Sequence, residues 1–399
     1  MATVNRRYDI DWIRVIAIAL LLVYHIAIGF QPWGVMIGFI SNEKSWDSLW
    51  FPMAMLNVWR IPLLFFVSGM GLYFSMQNRN WKSLIKERAT RILIPFLFGI
   101  FVIVPISTYL FQSYYHLPFS YFINPGHLWF LGNIFVYVIV LGPVLFYLKK
   151  NEENKTVQRI KKLWSNPVGL LIVIAAFIVE AVLVNPNPYE LYAMTWHGFF
   201  LGLLAFFFGF CFVLSGNSFR DMLLRNRWLF LIAALSLYSY RLMQPFLKVP
   251  NFQLAIESDL WIFSVFAFGS RYLNRSGKVL RYLSQAAYPV YIIHMVFLLL
   301  ASRLVFPLPL NVYGKFGLVL AMTFGGCFIF YEFIIRRIAI IRPLFGLNNE
   351  KQRMSWGGRL KGIGMKNPEK KMPIKSLFRR LFTMSIPFSA VCTLRKKKL

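Results

Sequence analysis

Long apolar segments recur along most of the chain and are separated by short polar connections. A helix needs about 20 mostly apolar residues to cross a hydrocarbon core of about 30 Å. The pattern therefore predicts an all-α polytopic membrane protein with about ten transmembrane helices. We place these spans at residues 11–30, 53–75, 92–112, 128–148, 167–184, 197–215, 228–247, 255–273, 284–302 and 312–335. The seventh and eighth are the least regular, because charged residues interrupt them.

The composition supports an integral membrane protein, and the charge distribution gives its orientation. Hydrophobic residues make up 58% of the chain and charged residues only 15%. Lys and Arg cluster in alternate connections, while the connections at residues 113–126 and 185–196 have none. By the positive-inside rule, both termini are expected in the cytoplasm. The net charge of +29 is spread over short loops and a tail, so we expect a lipid bilayer as partner and no nucleic acid.

The sequence predicts one membrane domain, residues 1–345, followed by a basic tail at residues 346–399. We expect the tail to be cytoplasmic and poorly ordered, or to lie on anionic lipid headgroups. The first apolar stretch has no A-x-A-like cleavage site and carries Arg14, so it reads as a retained signal anchor. We expect a multi-pass protein of the inner (cytoplasmic) membrane. The three cysteines are too scattered for a disulfide framework or a metal site, so no metal is expected.

The first span carries charged and titratable side chains, namely Asp11, Arg14 and His25. A helix turns about 100° and rises about 1.5 Å per residue, so His25 lies on nearly the same face as Arg14, roughly 16 Å further along. Asp11, three residues before Arg14, is a candidate to position the Arg14 guanidinium. Such groups inside a membrane usually mark a substrate path or a proton path.

Arg88 and Arg91, three residues apart, lie on one helical face at the cytoplasmic mouth of the third span. Their guanidinium groups suit phosphate binding, and anchoring to lipid headgroups is the alternative. The second span ends in Phe65-Phe66-Val-Ser68-Gly69, whose small residues permit two helices to approach closely.

Later spans add further polar candidates. His127 and Trp129 open the fourth span from the outer side, and Glu180 lies inside the fifth. In the ninth span, three residues separate Tyr291 from His294, so their rings can share a helix face. For each of these residues, a substrate-binding role and a structural role are both open.

These motifs, in this order, resemble the membrane acyltransferase 3 family. The resemblance rests on Arg14-x10-His25, Phe65-Phe66-Val-Ser68-Gly69, Arg88-x-x-Arg91-x3-Pro95 and Tyr288-x2-Tyr291-x2-His294. The sequence His127-Leu-Trp-Phe-Leu131 is most similar to the branch containing the periplasmic glucan succinyltransferases. The resemblance implies transfer of an acyl group from a cytoplasmic acyl-CoA donor to a hydroxyl of an extracytoplasmic glycan or other cell-envelope carbohydrate.

Acyl transfer needs a base that removes the proton of the attacking hydroxyl, and a neutral imidazole suits this task near pH 7. We assign this role to His25, and we assign the phosphates of the donor to Arg14, Arg88 and Arg91. Acetyl and succinyl are both open as the acyl group. Arg60 is a candidate to bind a succinyl carboxylate, the alternative being that its side chain snorkels to the outer interface.

Two other classes of function fit the same residues. In a proton-coupled transporter or exporter of a glycan or small solute, the intramembrane residues His25, His294, Glu180 and Glu332 would carry protons. No pair of matching broken helices is visible in the two halves of the chain, which disfavours this class. In a scaffold of an envelope complex, the polar groups would serve only helix packing, where interhelical hydrogen bonds contribute only about 0.6–2 kcal/mol each.

Overall fold

The computed structural model describes residues 7–76 and 79–347, which form helices and connecting loops without a β-strand. The α-helices are α1 (Tyr8–Ile28), α2 (Trp50–Ser75), α3 (Trp81–Arg88), α4 (Ile94–Phe98), α5 (Val104–Tyr114), α6 (Trp129–Lys150), α7 (Lys155–Trp164), α8 (Pro167–Val184), α9 (Trp196–Leu214), α10 (Asn217–Arg225), α11 (Arg227–Leu242), α12 (Asn251–Tyr272), α13 (Lys278–Val305) and α14 (Val312–Phe330). The predicted all-α polytopic fold is confirmed.

Among the described residues, nine helical segments are long and apolar enough to cross a membrane. The predicted seventh span corresponds to α11, which has only 16 residues and is therefore about 24 Å long. Its first turn contacts the end of α12 through Trp228 and Phe268, with ring centroids 5.1 Å apart. Near its end, Arg241 pairs with Glu257 in the second turn of α12. The short α11 therefore runs antiparallel to α12 over most of the length of that spanning helix.

The third span is longer than predicted and irregular. It extends from Trp81 to Tyr114, and π-helical turns at Ala89–Leu93 and Gly99–Ile103 join α3, α4 and α5. Pro95 and Pro105 each follow a π turn by two residues. Proline has no N–H and its ring clashes with the carbonyl four residues earlier, so the helix widens next to it.

Helices α2 and α9 cross with their backbones in close contact at two glycines, one on each helix. A Cβ on Gly69 would lie 1.9 Å from the carbonyl oxygen of Phe206, and one on Gly209 would lie 2.0 Å from that of Phe66. Both distances are far below ordinary van der Waals contact, so only glycine permits this backbone approach. The close approach predicted from the small residues after Phe66 is confirmed.

The two ends of the bundle differ in character. At the end that carries most of the Lys and Arg residues, here called the basic end, α1 begins beside the end of α12, where the Trp12 indole donates to the carbonyl of Arg275 at 3.3 Å. At the other end, here called the far end, residues 29–49 fold back onto α1, with Phe30 and Ile40 almost fully buried. This loop covers the last turns of α1.

All described residues belong to one unit. The basic tail predicted at residues 346–399 lies outside the described residues beyond residue 347.

Candidate active site

Two histidines from opposite ends of the sequence meet in the interior of the bundle. His25 lies in the last two turns of α1 and His294 just past the middle of α13. The Nδ1 atom of His25 is 2.8 Å from the Nε2 atom of His294, and the two rings are nearly parallel, with centroids 5.1 Å apart. The sequence pattern does not identify a partner for His25, and the structure shows that it is His294.

The hydrogen bonds of His294 determine which nitrogen of His25 carries a proton. The Nδ1 atom of His294 is 2.6 Å from the carbonyl oxygen of Tyr291. A carbonyl only accepts, so Nδ1 of His294 donates, and in a neutral ring its Nε2 is then an acceptor. The Nδ1 atom of His25 must therefore donate to it, which places the lone pair of neutral His25 on Nε2. In the part of the chain the structure describes, no group hydrogen-bonds to that Nε2.

His127 and Tyr291 complete a group of aromatic side chains around this pair, here called the histidine cluster (His25, His127, Tyr291 and His294). The rings of His127 and His294 meet edge to face with centroids 5.0 Å apart, and Nε2 of His127 donates to the carbonyl of Ile292 at 3.0 Å. The Tyr291 hydroxyl donates to the carbonyl of His127 at 2.6 Å. These bonds tie the turn before α6 to α13, so the predicted shared face of Tyr291 and His294 is part of a rigid support.

His294 is fully buried, whereas His25 keeps part of its surface exposed. The ring of Phe39, from the loop that covers the far end of α1, lies 5.6 Å from the His25 ring. Of the two paired imidazoles, His25 is therefore the one accessible to a substrate. The described residues contain no group of three or more His, Cys, Asp or Glu side chains arranged to hold a metal ion.

A buried arginine lies beside the histidine cluster. Arg60 of α2 is only 3% exposed, and its guanidinium lies 3.9 Å from the centroid of the Tyr24 ring. The alternative that Arg60 snorkels to the outer interface is therefore wrong.

The predicted donor-binding arginines gather at the basic end. Glu87 forms ion pairs at 3.2 Å with both Arg88 and Arg91, and at 3.4 Å with Arg79. Arg14 lies close enough to Arg88 for their charges to repel. These four guanidinium groups face two carboxylates, Glu87 and the Asp11 that pairs with Arg14, so an excess of positive charge remains, which suits an anionic ligand. The π turn at Ala89–Leu93 places Arg91 within the irregular helix, a feature that the spacing of three residues did not reveal.

Helices α1 and α13 connect this arginine group with the histidine cluster. Arg14 and His25 are both on α1, about 16 Å apart along its axis. On α13, Tyr288 lies within the electrostatic reach of Arg88 and Arg91, while His294 is about 9 Å further along. The predicted ion pair between Asp11 and Arg14 is present at 3.6 Å. A ligand extending along α1 from the basic end would reach the histidines.

The remaining candidates lie elsewhere. Glu180 pairs with Nδ1 of His197 at 3.0 Å and both are buried, so this carboxylate does not serve His25. The sequence pattern indicated no role for His197, although an intramembrane carboxylate such as Glu180, which needs a partner, was a signal for one. The Ser68 hydroxyl bonds within its own helix to the carbonyl of Leu64, and the Trp129 ring packs against Phe65.

The sequence comparison identifies the class of protein. A family model described as an acyltransferase domain, that of acyltransferase 3, matches residues 7–332. The chain therefore belongs to the acyltransferase 3 family and is an acyltransferase with multiple membrane-spanning helices. Comparisons with curated proteins and with solved structures found no significant match. The finer resemblance to glucan succinyltransferases stays a prediction.

Proposed function

We propose that this enzyme is a membrane O-acyltransferase that moves an acetyl or succinyl group from a cytoplasmic acyl-CoA to a hydroxyl of an extracytoplasmic glycan or other cell-envelope carbohydrate. The observation that carries the proposal is the hydrogen-bonded chain from Tyr291 through His294 to His25, which leaves the Nε2 lone pair of His25 available. A base in this state suits the deprotonation of an attacking hydroxyl.

The donor would bind at the basic end. The phosphates of coenzyme A would contact Arg14, Arg88 and Arg91, and the thioester arm would extend along α1 and α13 toward His25. Guanidinium groups bind phosphate in a bidentate manner, and the three arginines outnumber the two carboxylates beside them, Glu87 and Asp11. The orientation predicted by the positive-inside rule puts this end in the cytoplasm, where acyl-CoA is present.

The acceptor would approach from the far end. Nε2 of His25 would take the proton of its hydroxyl as the oxygen attacks the thioester carbonyl, and the resulting imidazolium would return that proton to the departing sulfur. His294 would accept the hydrogen bond from Nδ1 of His25 throughout this cycle, which holds the ring in one orientation. The proposed location is the inner membrane, where cytoplasmic donor and extracytoplasmic acceptor meet.

The test is transfer of radiolabel from acetyl-CoA and succinyl-CoA into extracytoplasmic glycan, in membranes that contain wild type or His25→Ala. We expect label with wild type and a loss to background with His25→Ala, at equal amounts of inserted protein. His116→Asn is the matched control, because His116 is an exposed histidine outside the cluster and asparagine tolerates its φ of 54°. Full activity of His25→Ala would disprove the base assignment. Absence of label with wild type would disprove the proposed reaction.

A further inference from the structure

Arg60 is a buried cation that forms no ion pair with an acidic side chain among the described residues. Its Nη2 atom contacts Asn57 Oδ1 at 3.3 Å, while Nε and Nη1 have no hydrogen-bond partner among the described residues. Arg241, the other buried arginine in the part of the chain that the structure describes, pairs with Glu257 at 2.8 Å. Leaving a charge buried without a partner costs several kcal/mol, so the arrangement at Arg60 calls for an anion that the described residues do not supply.

The position of Arg60 indicates where this anion forms. Its guanidinium stacks on Tyr24, whose ring centroid is 6.4 Å from that of the adjacent His25. Arg60 therefore lies within about 10 Å of the imidazole, a range over which a charge acts strongly inside a protein. Asn57 and Tyr24 both orient the guanidinium, and its N–H groups without a partner among the described residues are buried within this distance of the proposed base.

We propose that Arg60 stabilises the oxyanion that develops on the carbonyl oxygen of the acyl group during transfer. This inference rests on the proposed function. As the hydroxyl oxygen of the acceptor bonds to the carbonyl carbon, the hydroxyl proton goes to Nε2 of His25. The C=O π electrons move onto the carbonyl oxygen, and Arg60 faces this oxygen. The oxyanion then collapses, the C–S bond breaks with its electron pair on sulfur, and the imidazolium protonates the thiolate. The products are an ester and a free thiol.

The electrostatics support this role. A protonated His25 and Arg60 are two cations close together in a medium of low dielectric constant, where they repel. An oxyanion between them replaces this repulsion with attraction to both, so the site favours the transition state more than the ground state. Because the attacked carbon must lie next to the hydroxyl bound to His25, its oxygen is the anionic atom nearest to this pair. A terminal carboxylate of a succinyl group would lie several bonds further away.

The experiment measures initial rates for wild type, Arg60→Gln, Arg60→Met and Arg60→Lys with acetyl-CoA and succinyl-CoA over a range of concentrations. We expect the rate at saturating donor to fall roughly 10²–10³-fold in the two neutral variants, as on removal of an oxyanion-hole donor. The half-saturating donor concentration should stay nearly unchanged, every donor that wild type uses should be affected alike, and Arg60→Lys should recover part of the rate. Arg303→Gln is the control, an exposed far-end arginine that bonds to Ser113.

Three results would overturn the inference. A loss of rate confined to succinyl-CoA would mean that Arg60 binds the carboxylate of the succinyl group. Unchanged rates at saturating donor would mean that Arg60 takes no part in the reaction. A loss of rate that parallels a fall in melting temperature, and that lysine does not restore, would mean that Arg60 serves only packing. If the neutral variants do not fold, a comparison of Tyr24→Leu with Tyr24→Phe tests the same step. Of these two variants, only Tyr24→Phe retains an aromatic ring against the guanidinium of Arg60. Equal rates for the two variants would contradict the inference. Absence of transfer by wild type would instead disprove the proposed function.

Discussion

Replacement of His294 tests whether His25 depends on a hydrogen-bond acceptor at Nδ1. We consider His294→Gln and His294→Leu, which have similar volumes and differ in hydrogen bonding. In the wild type, Nδ1 of His25 is 2.8 Å from Nε2 of His294. The amide oxygen of a glutamine can accept the hydrogen bond from Nδ1 of His25, whereas leucine has no acceptor. The two proteins therefore separate the acceptor from the packing of the side chain.

The expected effect of leucine follows from the burial of this contact. A buried donor left without a partner costs about 1–3 kcal/mol, and the His25 ring avoids this cost by turning or by carrying its proton on Nε2. Either change removes the base, so transfer should fall by roughly 5–150-fold, at about 1.4 kcal/mol for each factor of ten. His294→Gln should keep its rate within about fivefold of wild type.

The assay is the initial rate of radiolabel transfer at saturating donor, normalised to inserted protein, with the melting temperature in detergent as a check on folding. A folded His294→Leu protein with the wild-type rate would refute the reasoning, because His25 would then need no acceptor. Equal and severe losses in the leucine and glutamine proteins would refute it as well, since the acceptor would not be the property that matters.

Two further variants test the helix crossing and the donor site. Gly69→Val should lower the free energy of unfolding by at least about 1–3 kcal/mol, because the backbone of α9 occupies the space that its Cβ needs. The control Gly317→Ala should be neutral or stabilising, because Gly317 has open space around it. Equal melting temperatures for the two variants would contradict this account. Arg14→Ala should raise the half-saturating acyl-CoA concentration roughly tenfold or more and leave the acceptor dependence unchanged. An unaltered donor dependence would remove Arg14 from phosphate binding.

The sequence pattern predicted the fold because each spanning segment is a local feature. About twenty apolar residues form a helix across a membrane whatever their neighbours are, so the nine long helical segments found within residues 7–76 and 79–347 follow from the segments themselves. Helix irregularities were less accessible. A proline within a span indicates that the helix is distorted nearby, but whether the helix kinks or widens into a π turn, as it does before Pro95 and Pro105, depends on the helices packed against it.

The candidate site was predictable in its members but not in its pairs. His25 and His294 stand out as imidazoles within spans, yet their contact joins residues 269 positions apart, and neither spacing nor periodicity relates α1 to α13. The same limit hid the pairing of Glu180 with His197. For Arg60, the sequence left even the location of the side chain open. A single arginine in a span is compatible with ligand binding in the interior and with snorkelling to the interface, and only its burial against Tyr24 distinguishes the two.

The contact between α1 and α13 has a consequence for the synthesis of the protein. A ribosome adds roughly 5–20 residues per second, so the 269 positions between His25 and His294 correspond to about 13–54 s of elongation. During that interval the first helix can already lie in the membrane, while its imidazole has no neighbour to orient it. In an unfinished chain, His25 therefore lacks the hydrogen-bond acceptor that orients its ring, and the pair forms only after α13, the last but one of the long helices among the described residues, has been inserted.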